Sequence, residues 1–493
     1  MNGKTTSAPA FTRRALVSDI MTWHYETPDR FALHLEHDRE FIPWMAARGL
    51  NAFSYISHAR DNRLKIDELL PLLNEHGIAS EYGGHVLQHL LPRDRFAANP
   101  EFFPVGSDGQ RNPRGNLCAS NDAAIAIACD GALRYMRENP ECALLHIWGA
   151  DVHEGAWCRC SQCAPLSPQR QYLKVVNAIA EAVAEGFAAT TPVAYLAYHD
   201  TIDPVPGLDP LPNVSFEWAP RERCYSHAID DTACMVNPRY LEALKRYLEI
   251  FDGRGHIFEY YADAILFGGL GVASPAVIVR DLRAYRRLGI TSVSCLTFGA
   301  YSMLAYPVNL EVFGRATHAL DFDPDAALAD VAARRHPRCA PEMTAAYRAL
   351  ANASALLLDG GGGVMRPPLT AAASRQSRGR DLRRARDILD DACAAADHIL
   401  GDARDALAVA ERALWQYGRE IADGLAGYIE AAALTGAERR QRGAAAIERI
   451  EAAVAHVRGI DLPLKGTWGA YDIEWVRNLW LTALRRRFGD VAT

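Results

Sequence analysis

Residues 144–163, LLHIWGADVHEGAWCRCSQC, place an aspartate, a histidine, a glutamate and three cysteines directly after an apolar run. Two chemistries are open to such a set. Carboxylates beside imidazoles move protons to and from a reacting group, and thiolates at C-x-C-x-x-C spacing bind a cation such as zinc. Leu144, Leu145, Ile147 and Trp148 read as a buried strand that Gly149 cannot continue, so the polar groups sit on a loop at the strand's exit.

The rest of the chain must supply partners for them. Short apolar runs resembling strands recur at ALVSDI, AFSYIS, IASEYGGH, the Leu144 run, PVAYLAYHD, NVSFEWAP, HIFEYYAD and ITSVSCLTFG. Segments with helical spacing separate most of them, such as Phe31, Leu35, Phe41, Ile42 and Met45, or Tyr240, Leu241, Leu244, Tyr247 and Leu248. Alternation of this kind over residues 14–322 predicts an α/β fold, a (β/α)8 TIM barrel. Residues 1–13 read as a disordered lead, and residues 323–493 as an all-helical C-terminal domain with a glycine-rich break at 359–368. The aperiodic stretch from Leu91 to Gly115 is long enough to act as a lid.

In such barrels the loops at the C-terminal strand ends converge on the axis. The strand assignments therefore gather Asp19 and His24, Glu81 and His85, Asp151, His153 and Glu154, His199 and Asp200, Glu217, and Glu259 with Asp263. Trp23, Trp148, Trp218, Tyr260 and Tyr261 surround them. Carboxylates flanked by rings suit glycoside cleavage: one acid protonates the departing oxygen, a second carboxylate attacks or activates water, and the rings pack on sugar faces. Strands four and seven, three places apart, lie on opposite sides of a ring of eight, which predicts Glu154 or Asp151 as acid and Glu259 as base or nucleophile, with Glu217 competing for the second role. The bland reading of any one of these carboxylates is a salt bridge or a loop cap. The histidines and aromatic residues of the set, Trp23, His24, His85, Trp148, His153, His199, Trp218, Tyr260 and Tyr261, together with Glu81, are the expected substrate contacts.

Cys158, Cys160 and Cys163 can close around a structural zinc if a fourth ligand arrives, Cys118 or His153; unligated thiols are the equal alternative. His24, His85, His153 and His199 raise another class, a metal-dependent sugar isomerase or hydrolase, although no HxH or HExxH pair fixes two ligands on one element. A non-catalytic carbohydrate-binding protein is a third reading. RCYSHAIDDTAC, residues 223–234, is either a pocket-shaping loop or a solvated one. LFGGLG at 266–271 lacks the lysine of a phosphate loop and full dinucleotide spacing, so no organic cofactor is expected.

Composition bounds the partners. A net charge of -7 over 493 residues leaves no basic footprint for nucleic acid. No run of about 18 uncharged apolar residues suggests a membrane span, and the N-terminus lacks an apolar signal core, so a cytoplasmic location is expected. The eleven cysteines sit mostly alone in apolar runs, as Cys129, Cys142 and Cys295 do, which speaks against a disulfide framework. A small carbohydrate is the expected partner, and a homo-oligomer stays open.

Three pieces carry a resemblance: EGAWCRCSQC, the NLCASN segment at Asn116–Asn121, and the run from YHDTIDPVP through RCYSHAIDDTAC to EYYAD. Over about residues 15–300 the chain resembles a bacterial family with a domain of unknown function, similar to α-glucuronidase and β-hexosaminidase barrels. The resemblance implies a glycoside hydrolase-like barrel acting on a small glycoside or oligosaccharide, with uronic acids and hexosamines as the sugar classes. Hexosaminidase-like barrels end strand four in adjacent Asp-Glu, whereas here Val152 and His153 separate Asp151 from Glu154, a departure from substrate-assisted N-acetylhexosamine cleavage.

Overall fold

The computed structural model describes residues 8–19, 28–56, 60–188, 190–360, 372–400 and 406–458. Eight strands close into a barrel whose order follows the chain. They are β1 (Arg13–Asp19), β2 (Ala52–Ile56), β3 (Ala79–Gly84), β4 (Cys142–Ile147), β5 (Val193–Ala197), β6 (Val214–Trp218), β7 (Gly255–Glu259) and β8 (Ser292–Thr297). Every neighbouring pair is parallel, including β1 with β8. Outside them lie α1 (Pro28–Ala46), α2 (Arg60–Glu75), the short α3 (Leu87–Leu90), α4 (Asp122–Glu138), α5 (Pro168–Gly186), α6 (Asn237–Ile250) and α7 (Pro275–Arg287). Asn121 caps α4 by accepting the Ala124 N–H, and Ser167 caps α5 by accepting that of Arg170, as their residue types favour. The connection from β5 to β6 holds no α-helix, only a 3-10 turn at His199–Thr201.

The lumen is polar. Arg13 on β1 makes two 2.6 Å bonds to Glu81 on β3, and His146 on β4 lies 3.3 Å from Glu81 and 3.0 Å from Glu217 on β6. β1 and β3 are not neighbours, nor are β4 and β6, so the side chains meet across the barrel interior. Trp148 donates to Glu217 at 2.8 Å from above, and below it His256 joins Ser215 and Ser292. Burial alone would lower the His146 pKa, but the two carboxylates raise it to about 9, so an imidazolium is sandwiched between anions. Gly83 belongs to this packing: at φ +124° its missing Cβ would lie 2.0 Å from the His146 carbonyl.

Strand parity decides who faces the lumen. Along β7, His256 and Phe258 point to the axis, Phe258 packing on Trp148, so Glu259 points outward to α7. There it accepts from Tyr285, and Arg223 bridges it to Asp281. Trp218 likewise faces outward, against Tyr240 and Tyr285, and Tyr261 donates to Asp281.

After β8 come α8 (Gly299–Ala305), α9 (Pro307–His318), α10 (Pro324–Arg335), α11 (Ala340–Leu357), α12 (Ala372–Leu400), α13 (Ala406–Ala432) and α14 (Gly436–Arg458). Glu411 of α13 is buried and gathers Arg335, His336 and Tyr347. Tyr417 donates to the Gly268 carbonyl, and Trp415 stands beside Gly271, so the LFGGLG loop is a docking point for α13. Most of the 359–368 break lies outside the described residues. Within the lead expected to be disordered up to residue 13, the described residues are built into the fold: Phe11 is fully buried, Ala10 and Phe11 donate to the carbonyls of His318 and Thr317, and Arg13 enters the lumen. Among the described residues no helix is long and apolar enough to cross a membrane.

Candidate active site

Above Trp148 the loops after β4, β5 and β6 form the barrel mouth. His199 stands at its centre, two residues beyond the end of β5, in a left-handed backbone conformation with φ 46°. A histidine pays for such geometry only where the surroundings hold it, and such residues cluster at functional sites. Its Nε2 lies 3.6 Å from Asp151 and its Nδ1 3.1 Å from Glu222. Tyr198 and His153 stack on the ring with centroid separations of 3.5 and 3.7 Å. His153 is also 3.7 Å from Glu222.

The electrostatics divide the carboxyl groups. Burial pushes Asp200 up to about 6; the charge of His199 opposes this and that of Glu154 adds to it. Burial would also raise Asp151 and Glu222, but His199, 3.6 and 3.1 Å from them, wins and holds both below the usual carboxylate range, with Arg221 adding its charge. His199 in turn is raised by its two carboxylates against the effect of burial. Next to this group Arg221 donates to the buried Asp263 at 3.0 Å and lies over Tyr260, while Asp263 caps the backbone N–H groups of Ile265 and Leu266. A pocket lined by Gly149, Trp157, Tyr172, Tyr198, His199 and Asp200 opens beside them.

The residues singled out by sequence fall into three places. Asp151, His153 and His199 meet at the mouth, with Tyr260 under Arg221; His85 joins them by bonding the Gly149 carbonyl at 2.5 Å and packing on Trp148. Glu154 is exposed on the same loop. Glu81, Glu217 and Trp148 lie below, in the buried lumen network, so Glu81 and Glu217 are not at strand exits as expected. Glu259, Trp218 and Tyr261 lie behind the wall. The expected pairing of Glu154 or Asp151 with Glu259 across the axis is therefore not formed, because β7 turns that carboxylate toward Arg223. Trp23 and His24 lie outside the described residues. Segment 223–234 is anchored outward too, with Asp230 and Asp231 paired to Arg280 and Arg287 on α7.

Arg221 and Glu222 were not singled out in the sequence. The available signal was their place, three and four residues beyond the end of β6 expected at Trp218. Asp200 was placed at a strand exit, but its raised pKa comes from burial that only packing creates.

Four thiols, of Cys118, Cys158, Cys160 and Cys163, come within 4.8 Å of one another beneath the β4 loop, a group that could bind a metal ion.

A family model described as "Domain of unknown function (DUF4838)" matches residues 6–297, more than half of the chain. No curated protein matches by sequence. Among solved structures, a GH138 enzyme targeting pectin rhamnogalacturonan II aligns with TM-score 0.62 at 10% identity, over 98% of this chain and 68% of that one. A family 89 glycoside hydrolase from Clostridium perfringens, solved in complex with PUGNAc, aligns with TM-score 0.50 at 11% identity, over 97% of this chain and 58% of that one. At such identities the likeness is one of fold.

Proposed function

Since the chain belongs to the DUF4838 family, whose function is unknown, we propose that its barrel cleaves a glycosidic bond in a small glycoside or oligosaccharide. One observation carries the reading. At the rim of one aromatic-lined pocket, Asp200 keeps its proton up to about pH 6 while Asp151, joined to His199, stays ionised. Glycoside hydrolysis asks for that division of labour between two carboxyl groups, and separated pKa values assign the roles. Asp200 is the acid that protonates the departing oxygen. Asp151 is the carboxylate that attacks the anomeric carbon or activates water, and His199, backed by Glu222, orients it. Trp157 and Tyr198 offer ring faces to the sugar. Glu154, exposed nearby, acts through its charge on Asp200.

Both aligned structures are glycoside hydrolases by description, which supports the class, and the target of the first suggests acidic pectin fragments as an early trial. The test is a panel of aryl glycosides, uronic acid and N-acetylhexosamine conjugates and pectin oligosaccharides. Turnover of at least one is expected, abolished in Asp200→Asn and Asp151→Asn with binding retained. Binding without turnover by the unaltered chain would instead establish a carbohydrate-binding protein. A metal-assisted sugar reaction is the second reading, because His153, His199 and Glu222 bring ligand atoms within 4.8 Å of one another and could hold an ion. The glycosidase reading expects added divalent cations and chelators to leave turnover unchanged; loss of turnover on chelation would favour the metal reading.

A further inference from the structure

We propose that Cys118, Cys158, Cys160 and Cys163 form a closed structural zinc site that staples the loop after β4 to the segment before α4. This inference is independent of the glycosidase reading.

The first argument is geometric. Cys118 Sγ lies 3.5 Å from Cys158 Sγ, 3.8 Å from Cys160 Sγ and 3.9 Å from Cys163 Sγ. Four thiolates around a tetrahedral zinc at about 2.3 Å stand about 3.8 Å apart, so the sulfurs already outline the coordination shell. None of them is in a disulfide.

The second argument is the hydrogen bonding. Three thiols elsewhere find carbonyl acceptors, Cys142 donating to Leu144, Cys224 to Leu358 and Cys295 to Leu296, while Cys234 accepts the N–H groups of Val236 and Asn237. The four clustered sulfurs instead face each other, and one backbone N–H and one hydroxyl approach them from outside. Val105 N–H points at Cys158 Sγ at 3.4 Å, and the Ser120 hydroxyl lies 3.2 to 3.5 Å from the sulfurs of Cys118, Cys160 and Cys163. Donors aimed at sulfur from outside the shell are what metal-bound thiolates need to spread their charge.

The third argument is the scaffold. Gln171, buried on α5, accepts the Cys158 N–H and donates to the carbonyls of Cys158, Cys163 and Leu166. Cys160 and Cys163 sit on one turn, closed by the Cys163 N–H on the Cys160 carbonyl. Four protein ligands leave no open position, so the metal holds structure and takes no substrate. Its connection to the mouth is Asn116, two residues before Cys118: its side chain accepts the Ala150 N–H at 2.7 Å, next to Asp151, and its N–H donates to Ala156.

The experiment uses the full chain. Elemental analysis after purification is expected to find about one zinc per chain. Cobalt exchanged into the site is expected to show thiolate-to-metal charge transfer and the visible bands of a tetrahedral ion. Cys118→Ser and Cys160→Ser should each lose the metal or the charge-transfer intensity, while Cys129→Ser, remote on α4, keeps both. Should a variant be insoluble, the cobalt spectrum of the unaltered chain decides. Substoichiometric zinc after incubation with excess metal, or a cobalt spectrum without thiolate charge transfer, would overturn the assignment.

Discussion

The lumen and the mouth of this barrel hold similar side chains on the same strands and use them in opposite ways. β4 carries His146 and, five positions on, Asp151; β6 carries Glu217 and, five positions on, Glu222. In the lumen, Arg13, Glu81, His146 and Glu217 are paired across the axis and sealed beneath Trp148. At the mouth the Asp151 side chain is 58% exposed, His199 is strained, and a pocket opens alongside. Strong pKa shifts occur in both. A shifted group is thus no mark of catalysis by itself; the mark is a shift combined with access and with a partner shifted the other way.

Four experiments bear on that contrast. The largest effect is expected from His146→Leu, which leaves the buried Glu217 with the Trp148 donor and no bonded cation, while Glu81 keeps Arg13; breaking such a pair costs about 3–5 kcal/mol, read by urea denaturation. An undiminished midpoint would remove the structural role given to the lumen. Next, Asp200→Asn should lower kcat/KM on a cognate glycoside by about 10²-fold or more with the urea midpoint unchanged.

A third effect separates the regions by pH. Folded His146 keeps its proton to about pH 9 against an ordinary 6.5, so the folded state binds more protons in that window and stability falls as pH rises from about 6.5 to about 9. The decline should disappear from the thermal melts of a stable His146→Gln variant. Activity should fail earlier, through about pH 6, as Asp200 loses its proton. The smallest effect belongs to Glu154→Gln. Loss of the neighbouring charge should move the alkaline limb of kcat/KM to lower pH by less than about one unit, with stability within about 0.5 kcal/mol. A limb that stays put would detach Glu154 from Asp200.

Much of the barrel could be read from the chain because its signals are local. Apolar runs of five to seven residues bounded by Gly49, Gly77 and Gly253 gave the strands their places, and the segment after Trp148 was marked by the crowding of Asp151, His153 and Glu154. The family resemblance and the matched family model span nearly the same residues. The candidate site was legible only in part. His85, Asp151, His153, His199 and Tyr260 reach the mouth, whereas Glu81 and Glu217 fall one layer too deep and Glu259 falls on the wrong side of β7.

The sequence by itself determined the order of strands and helices, the loop on which Asp151 rides, and the C-x-C-x-x-C spacing. Tertiary structure decided which carboxylates share a space. Successive side chains on a strand face opposite ways, so a single position separates a group on the axis from one sealed against a helix, and neither composition nor spacing distinguishes Glu217 from Glu259. It also brought Cys118 to the other three thiols from forty residues upstream of Cys158, because closing the barrel packs the chain before α4 against the loop after β4.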